Sequence, residues 1–132
     1  MTPPDVRREQ AQALLEAAAK DALTLRILRQ APDAPLEPTL FHAQQAIEKA
    51  LKAVLVRADV VFRRTHDLLE LADLLQANAV VVPVGRELLT RLAPYAVEFR
   101  YLGAAAPEVS LEEAAVAVAS VMAWAQSPGE QS

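Results

Sequence analysis

Amides, charges and imidazoles gather in two short clusters, Phe41-His42-Ala43-Gln44-Gln45-Ala46-Ile47-Glu48-Lys49-Ala50-Leu51-Lys52 and Arg63-Arg64-Thr65-His66-Asp67-Leu68. Both histidines of the chain lie in them. An imidazole can serve as acid, base or ligand near neutral pH. Lysine and arginine beside it suit a phosphate or carboxylate group. Between His42 and His66 the chain carries Lys49, Lys52, Arg57, Arg63 and Arg64 against Glu48 and Asp59, whereas everything after Arg100 carries acids and no base. With a net charge of -4, this locally basic, globally acidic pattern fits a small anionic ligand or a basic partner better than long nucleic acid, and DNA binding is not expected. The competing reading is a solvated helix surface of mixed charge.

Several chemistries have no foothold. The chain has no cysteine, so disulfides, thiolate nucleophiles and Cys-based metal sites are excluded. None of its glutamates is followed three residues later by histidine, as a helical di-iron site requires, and the histidines form no His-x-x-x-His pair. No metal or cofactor is expected. Gly85, Gly103 and Gly129 are isolated, so no phosphate-binding glycine loop is present, and Ser110, Ser120 and Ser127 have no base nearby in sequence. The amino terminus lacks an apolar signal core, and no apolar run approaches the roughly 20 residues of a membrane span. A cytoplasmic protein with no membrane contact is the expectation.

These residues must be positioned by helices. The chain is rich in alanine and leucine and 53% apolar, with little of the β-branched alternation of strands. Pro4 to Gln30 carries Leu14, Leu15, Ala18, Ala22, Leu25 and Leu28 at helical spacing, with Pro4 and Asp5 suited to a first turn. Three prolines in Ala31 to Thr39 predict a loop ending near Pro38. A second helix then runs from Thr39 to about Arg57, with Leu40, Ala43, Ile47, Leu51, Val54 and Leu55 facing the core and His42, Gln45, Glu48, Lys49, Lys52 and Phe41 on the outer arc. Glu48 and Lys52 form an i,i+4 pair there. After a turn at 58–64, Thr65 caps a third helix with Asp67 in its first turn, ending near Asn78. Ala79 to Val84 reads as a buried linker. A fourth helix spans Gly85 to Tyr101, kinked near Thr90 by Pro94, with Leu88, Leu92, Tyr95 and Phe99 in the core. A last helix starts at Ser110 and reaches Gln126, leaving 127–132 as a disordered tail. The result is a single all-α domain over 1–132 with its core at about 5–126, an up-and-down bundle of four or five helices.

The run Phe41-His42-x-Gln44-Gln45-Ala46-x-Glu48-Lys49-Ala50-Leu51-Lys52-Ala53, then Thr65-His66-Asp67-Leu68 with Leu71, then Arg100-Tyr101, resembles the HEPN domain, named for higher eukaryotes and prokaryotes nucleotide-binding. The resemblance implies a HEPN-type bundle that homodimerises and works beside a minimal nucleotidyltransferase, often as a toxin–antitoxin pair. It also implies a ligand- or partner-binding surface made of His42, Gln45, Glu48, Lys49, Lys52, Arg63, Arg64, His66, Asp67, Arg100 and Tyr101, in which the helix-two stripe and the Arg63 to Asp67 turn form a basic-lined groove for a nucleotide phosphate or an acidic partner loop, and Arg100 and Tyr101 pair near Glu98 or lie at the subunit interface. The family usually has proline after the Arg-Tyr pair, where this chain has Leu102. HEPN ribonucleases carry an arginine followed a short interval later by a histidine; Arg57 stands too far before His66, Arg63 and Arg64 stand too close, and no histidine follows Arg100. No catalytic residue is therefore assigned. Two alternatives remain beside the binding module: a degenerate ribonuclease toxin that joins His66 and Arg100 across a dimer, and a structural homodimer without ligand. The local readings also stay open, with His42 as an internal hydrogen-bonding group, His66 and Asp67 as helix-start residues, and the amides of that helix start with Arg63 and Arg64 as an anion site.

Overall fold

The computed structural model describes residues 2–96 and 108–127, and among them the regular structure is entirely helical. Helix α1 spans Pro4–Arg29, α2 Leu36–Arg57, α3 Leu68–Ala77, α4 Arg86–Leu92 and α5 Leu111–Ala125, with a 3-10 turn at Ala93–Ala96. No helix among the described residues is long and apolar enough to cross a membrane.

The short connection after Arg29 folds α2 back antiparallel to α1, so that Asp59 reaches Arg7 at one end and His42 meets Asp21 farther along. Helix α2 is the centre of the bundle, packing on α1, α3 and α5. Its small residues Ala43, Ala46, Ala50 and Ala53 are fully buried, as are Leu40, Ile47, Leu51 and Leu55. Alanine at these positions lets neighbouring backbones approach while the leucines fill the space between them. Helix α5 closes the other side with Ala114, Val121, Trp124 and Ala125, and the Arg57 guanidinium donates to the Ala125 carbonyl at 2.8 Å.

Several element boundaries differ from expectation for identifiable reasons. Helix α2 begins at Leu36 and not Thr39, with Pro35 as its N-cap. Pro38 falls in the first turn, where an N–H would have no helical partner, so it does not delay the start. In α3 the cap is Asp67, whose carboxylate accepts from the Leu69 and Glu70 amides; Thr65 is buried, and its hydroxyl accepts from the Asp67 amide. In the 79–84 linker only Val80 is buried, and Val81 is 81% exposed. The anchoring of Val80 follows from the end of α3, where Ala79 turns left-handed at φ 63° and the Val80 amide donates to the Leu75 carbonyl.

Pro94 does more than kink the fourth helix. It has no N–H for the Thr90 carbonyl, and α4 stops at Leu92 and tightens into the 3-10 turn that buries Tyr95. The expectations for Phe99, Arg100, Tyr101 and Gly103 to Pro107 lie outside the described residues, as does the tail at 128–132. Ser127 remains attached, its amide donating to the Trp124 carbonyl. Ser110 caps α5 as its sequence implies, in a reciprocal capping box with Glu113.

Candidate functional site

The outer arc of α2 is not the open surface that a lone helical wheel gives. The Arg63 to Asp67 turn lies over it, so Gln44 is 0% and Glu48 only 3% exposed. The wheel places Glu48 on a solvated stripe; the turn and the start of α3 cover it instead. A buried carboxylate needs strong partners, and Glu48 has three. Gln44 Nε2 donates to its Oε1 at 3.1 Å, Lys52 Nζ to its Oε2 at 3.0 Å, and His66 Nδ1 sits 3.1 Å from each oxygen. An ionised carboxylate only accepts, so this contact calls for the proton on His66 Nδ1. Gln44 Nε2 also donates to the His66 carbonyl at 3.2 Å, and Gln45 Nε2 donates to Gln44 Oε1 at 2.7 Å. Helix α2 thus grips His66 by both its ring and its backbone, while the His66 side chain stays 68% exposed.

A second constellation lies between α1 and α2. Asp21, whose side chain is 12% exposed, receives Lys49 Nζ at 2.6 Å and pairs with His42 Nδ1 at 2.9 Å. His42 is therefore an internal hydrogen-bonding group, and its ring meets that of Phe41 in a T-shaped contact at a centroid distance of 5.3 Å. Above both buried carboxylates, His42, Gln45, Lys49 and Lys52 form a half-buried row along α2.

The local excess of base read between His42 and His66 is offset by folding. Asp21 arrives from α1 to meet Lys49, Glu48 meets Lys52, and Glu70 from α3 takes both Nε and a terminal nitrogen of Arg63 at 3.0 and 2.6 Å. The Glu70 hydrogen bond and charge hold the Arg63 pKa above its ordinary value. Arg64 is exposed and has no partner among the described residues. Lys49, Lys52 and Arg63 each pair with a carboxylate, and Arg64, among the described residues, does not. Asp67 spends its carboxylate on the α3 amides, which removes part of the anion capacity of that helix start. Of the eleven sequence-derived positions, His42 and Lys49 meet at Asp21, Lys52 and His66 meet at Glu48, Gln45 bonds Gln44 beside them, and Arg63, Arg64 and Asp67 belong to the same turn as His66; Arg100 and Tyr101 lie outside the described residues.

Two members of the face were not singled out from the sequence as site residues. Asp21 had a signal: it sits three residues after Ala18 and four before Leu25 on the core register of α1, where a carboxylate demands a partner. Gln44 stands beside Gln45 in the run that carries the family resemblance, but nothing local marks it as the more buried of the two. Among the described residues no group of three His, Asp or Glu side chains could hold a metal ion.

Neither a curated protein nor a solved structure matches the chain. The family model described as the HEPN domain matches residues 9–127, a span that takes in both carboxylate constellations, the cap of α3 and the last helix, and the chain accordingly belongs to the HEPN family.

Proposed function

We propose that this HEPN protein is a binding module whose α2 face takes the phosphates of a nucleotide, working as a homodimer beside a minimal nucleotidyltransferase in a toxin–antitoxin-like pair. The observation that carries the reading is the pre-organised row above Asp21 and Glu48. Lys49 and Lys52 are each fixed from beneath by a carboxylate yet remain half-buried, with side chains 29% and 15% exposed, and Arg64, on the turn whose His66 meets the same Glu48 as Lys52, is exposed without a partner among the described residues. Fixed donors lose little freedom when a ligand arrives. Because three of the cations are already neutralised within the chain, the affinity is modest and falls with salt. Titration of labelled protein with ATP, followed by backbone amide shifts, tests it: shifts confined to 42–52 and 63–67 support the α2 face, and shifts elsewhere or none contradict it.

A second reading is favoured by one contact. His66 Nδ1 on the buried Glu48 carboxylate orients the ring for acid–base work, which suits a degenerate ribonuclease. RNA cleavage abolished by His66→Ala is its signature.

A further inference from the structure

The two histidines share a feature and differ in another. Each has Nδ1 on a carboxylate, His42 on Asp21 and His66 on Glu48. The His42 side chain is only 29% exposed and lies against Phe41, with its carboxylate shared with Lys49 at 2.6 Å. The His66 side chain is 68% exposed, is held symmetrically at 3.1 Å by both oxygens of a 3% exposed carboxylate, and has its backbone carbonyl pinned by Gln44. Its Nε2 makes no hydrogen bond among the described residues. Glu48 therefore fixes the tautomer that leaves the Nε2 lone pair free, and it stabilises the positive charge that forms on the ring when that lone pair makes a bond. Such a nitrogen is an activated nucleophile.

We propose that His66 Nε2 is a phosphoryl acceptor and Glu48 its positioning residue. The Nε2 lone pair forms a bond to the terminal phosphorus of a phosphoryl donor, and the bond from that phosphorus to the leaving group breaks, its electron pair departing with the leaving group. With a nucleoside triphosphate the leaving group is the diphosphate. The Nδ1 proton stays on the ring, opposite the Glu48 carboxylate, so the phosphorylated imidazolium is neutralised where it forms. Arg64, two residues away on the same turn and exposed, is the nearest cation in sequence for the transferred group. Only the natural donor rests on the nucleotide reading above; the nucleophile does not.

Potassium phosphoramidate tests this without a nucleotide site, since it is small and releases only ammonia. The full chain is incubated with it, and the product is read by peptide mass mapping and phosphorus NMR. The expected result is one phosphoryl group per chain, on His66 as the Nε2 isomer, exceeding His42 by at least about tenfold. Glu48→Gln, checked for fold by circular dichroism, slows labelling roughly tenfold, the lower end of what the orienting partner of a metal-ligating histidine contributes, and alters its pH profile. Exposure alone would leave the Glu48→Gln protein labelling at the wild-type rate with an unchanged profile, and that outcome overturns the proposal. Labelling at Nδ1, equal labelling of His42, or none overturns it as well. His66 labelled by phosphoramidate with no ATP binding sinks the nucleotide reading alone; ATP binding without labelling sinks the nucleophile alone.

Discussion

Replacing Glu48 by glutamine keeps the side-chain volume and removes the charge at the centre of the α2 face. The oxygen of the new amide can still accept from Gln44, whose Nε2 lies 3.1 Å from the present Oε1. The other half of the amide is a donor, and it would face Lys52 Nζ, now 3.0 Å from Oε2. That contact turns from attraction to a donor–donor clash. A hydrogen bond to a charged group contributes about 1.5–3 kcal/mol net. The Lys52 side chain is only 15% exposed, so it recovers part of the loss by extending toward water and not all of it. The His66 contact adds little, because a side chain 68% exposed is readily rehydrated. The sum is about 2 kcal/mol of lost stability, or about 7 °C in Tm at the roughly 3–4 °C per kcal/mol expected for a chain of this size. Urea unfolding followed by circular dichroism measures it, with His66→Asn as a control expected to cost about 0.5 kcal/mol. A Glu48→Gln loss no larger than that of His66→Asn would refute the idea that Glu48 is a buried, fully engaged carboxylate.

The remaining predictions use the same logic at other sites. Leu51→Ala, at a fully buried position on α2, should cost about 2–5 kcal/mol in urea unfolding; a loss below about 1 kcal/mol would mean that α2 is not the centre of the core. Ala79→Gly relieves a left-handed alanine at φ 63° and should stabilise by about 1 kcal/mol, whereas a destabilised variant would contradict the turn after α3. The Arg91 fork and the Ser110 amide lower the Glu113 pKa from 4.5 to about 2. Its contribution is therefore complete above pH 4.5 and fades as the pH falls toward 2, so the acid-side loss of stability should shrink in Glu113→Gln. Parallel acid titrations of the two proteins, showing the same slope between those pH values, would discount the Arg91 to Glu113 tie between α4 and α5. Asp21→Ala leaves Lys49 and His42 without their shared partner and should cost about 1–2 kcal/mol in urea unfolding, whereas no measurable loss would contradict the tie between α1 and α2.

The helices were legible because their apolar positions repeat with the helical period, and the start of α5 because Ser110 follows the break at Gly103 to Pro107 and is a capping residue by type. What a single helix cannot show is what lies over it. Glu48 reads as solvated on a wheel, and only the return of the Arg63 to Asp67 turn across α2 makes it the most buried acid of the face. Charge was misleading for the same reason: the basic stretch between the histidines meets Asp21 and Glu70, which are distant or outside it in sequence. Thr65 and Asp67 are both suitable caps by type, and the choice fell to Asp67 because Thr65 is drawn into the core. Pro38 and Pro94 show one residue acting oppositely by position, harmless in a first turn and terminating in a helix interior.

The most direct test of the proposal that the α2 face binds a nucleotide is a calorimetric titration of the full chain with ATP, run alongside Arg64→Ala and Lys52→Ala. Saturable binding that weakens in both variants and falls with salt is the predicted result. Binding that both variants leave untouched, or no binding at all, would contradict it.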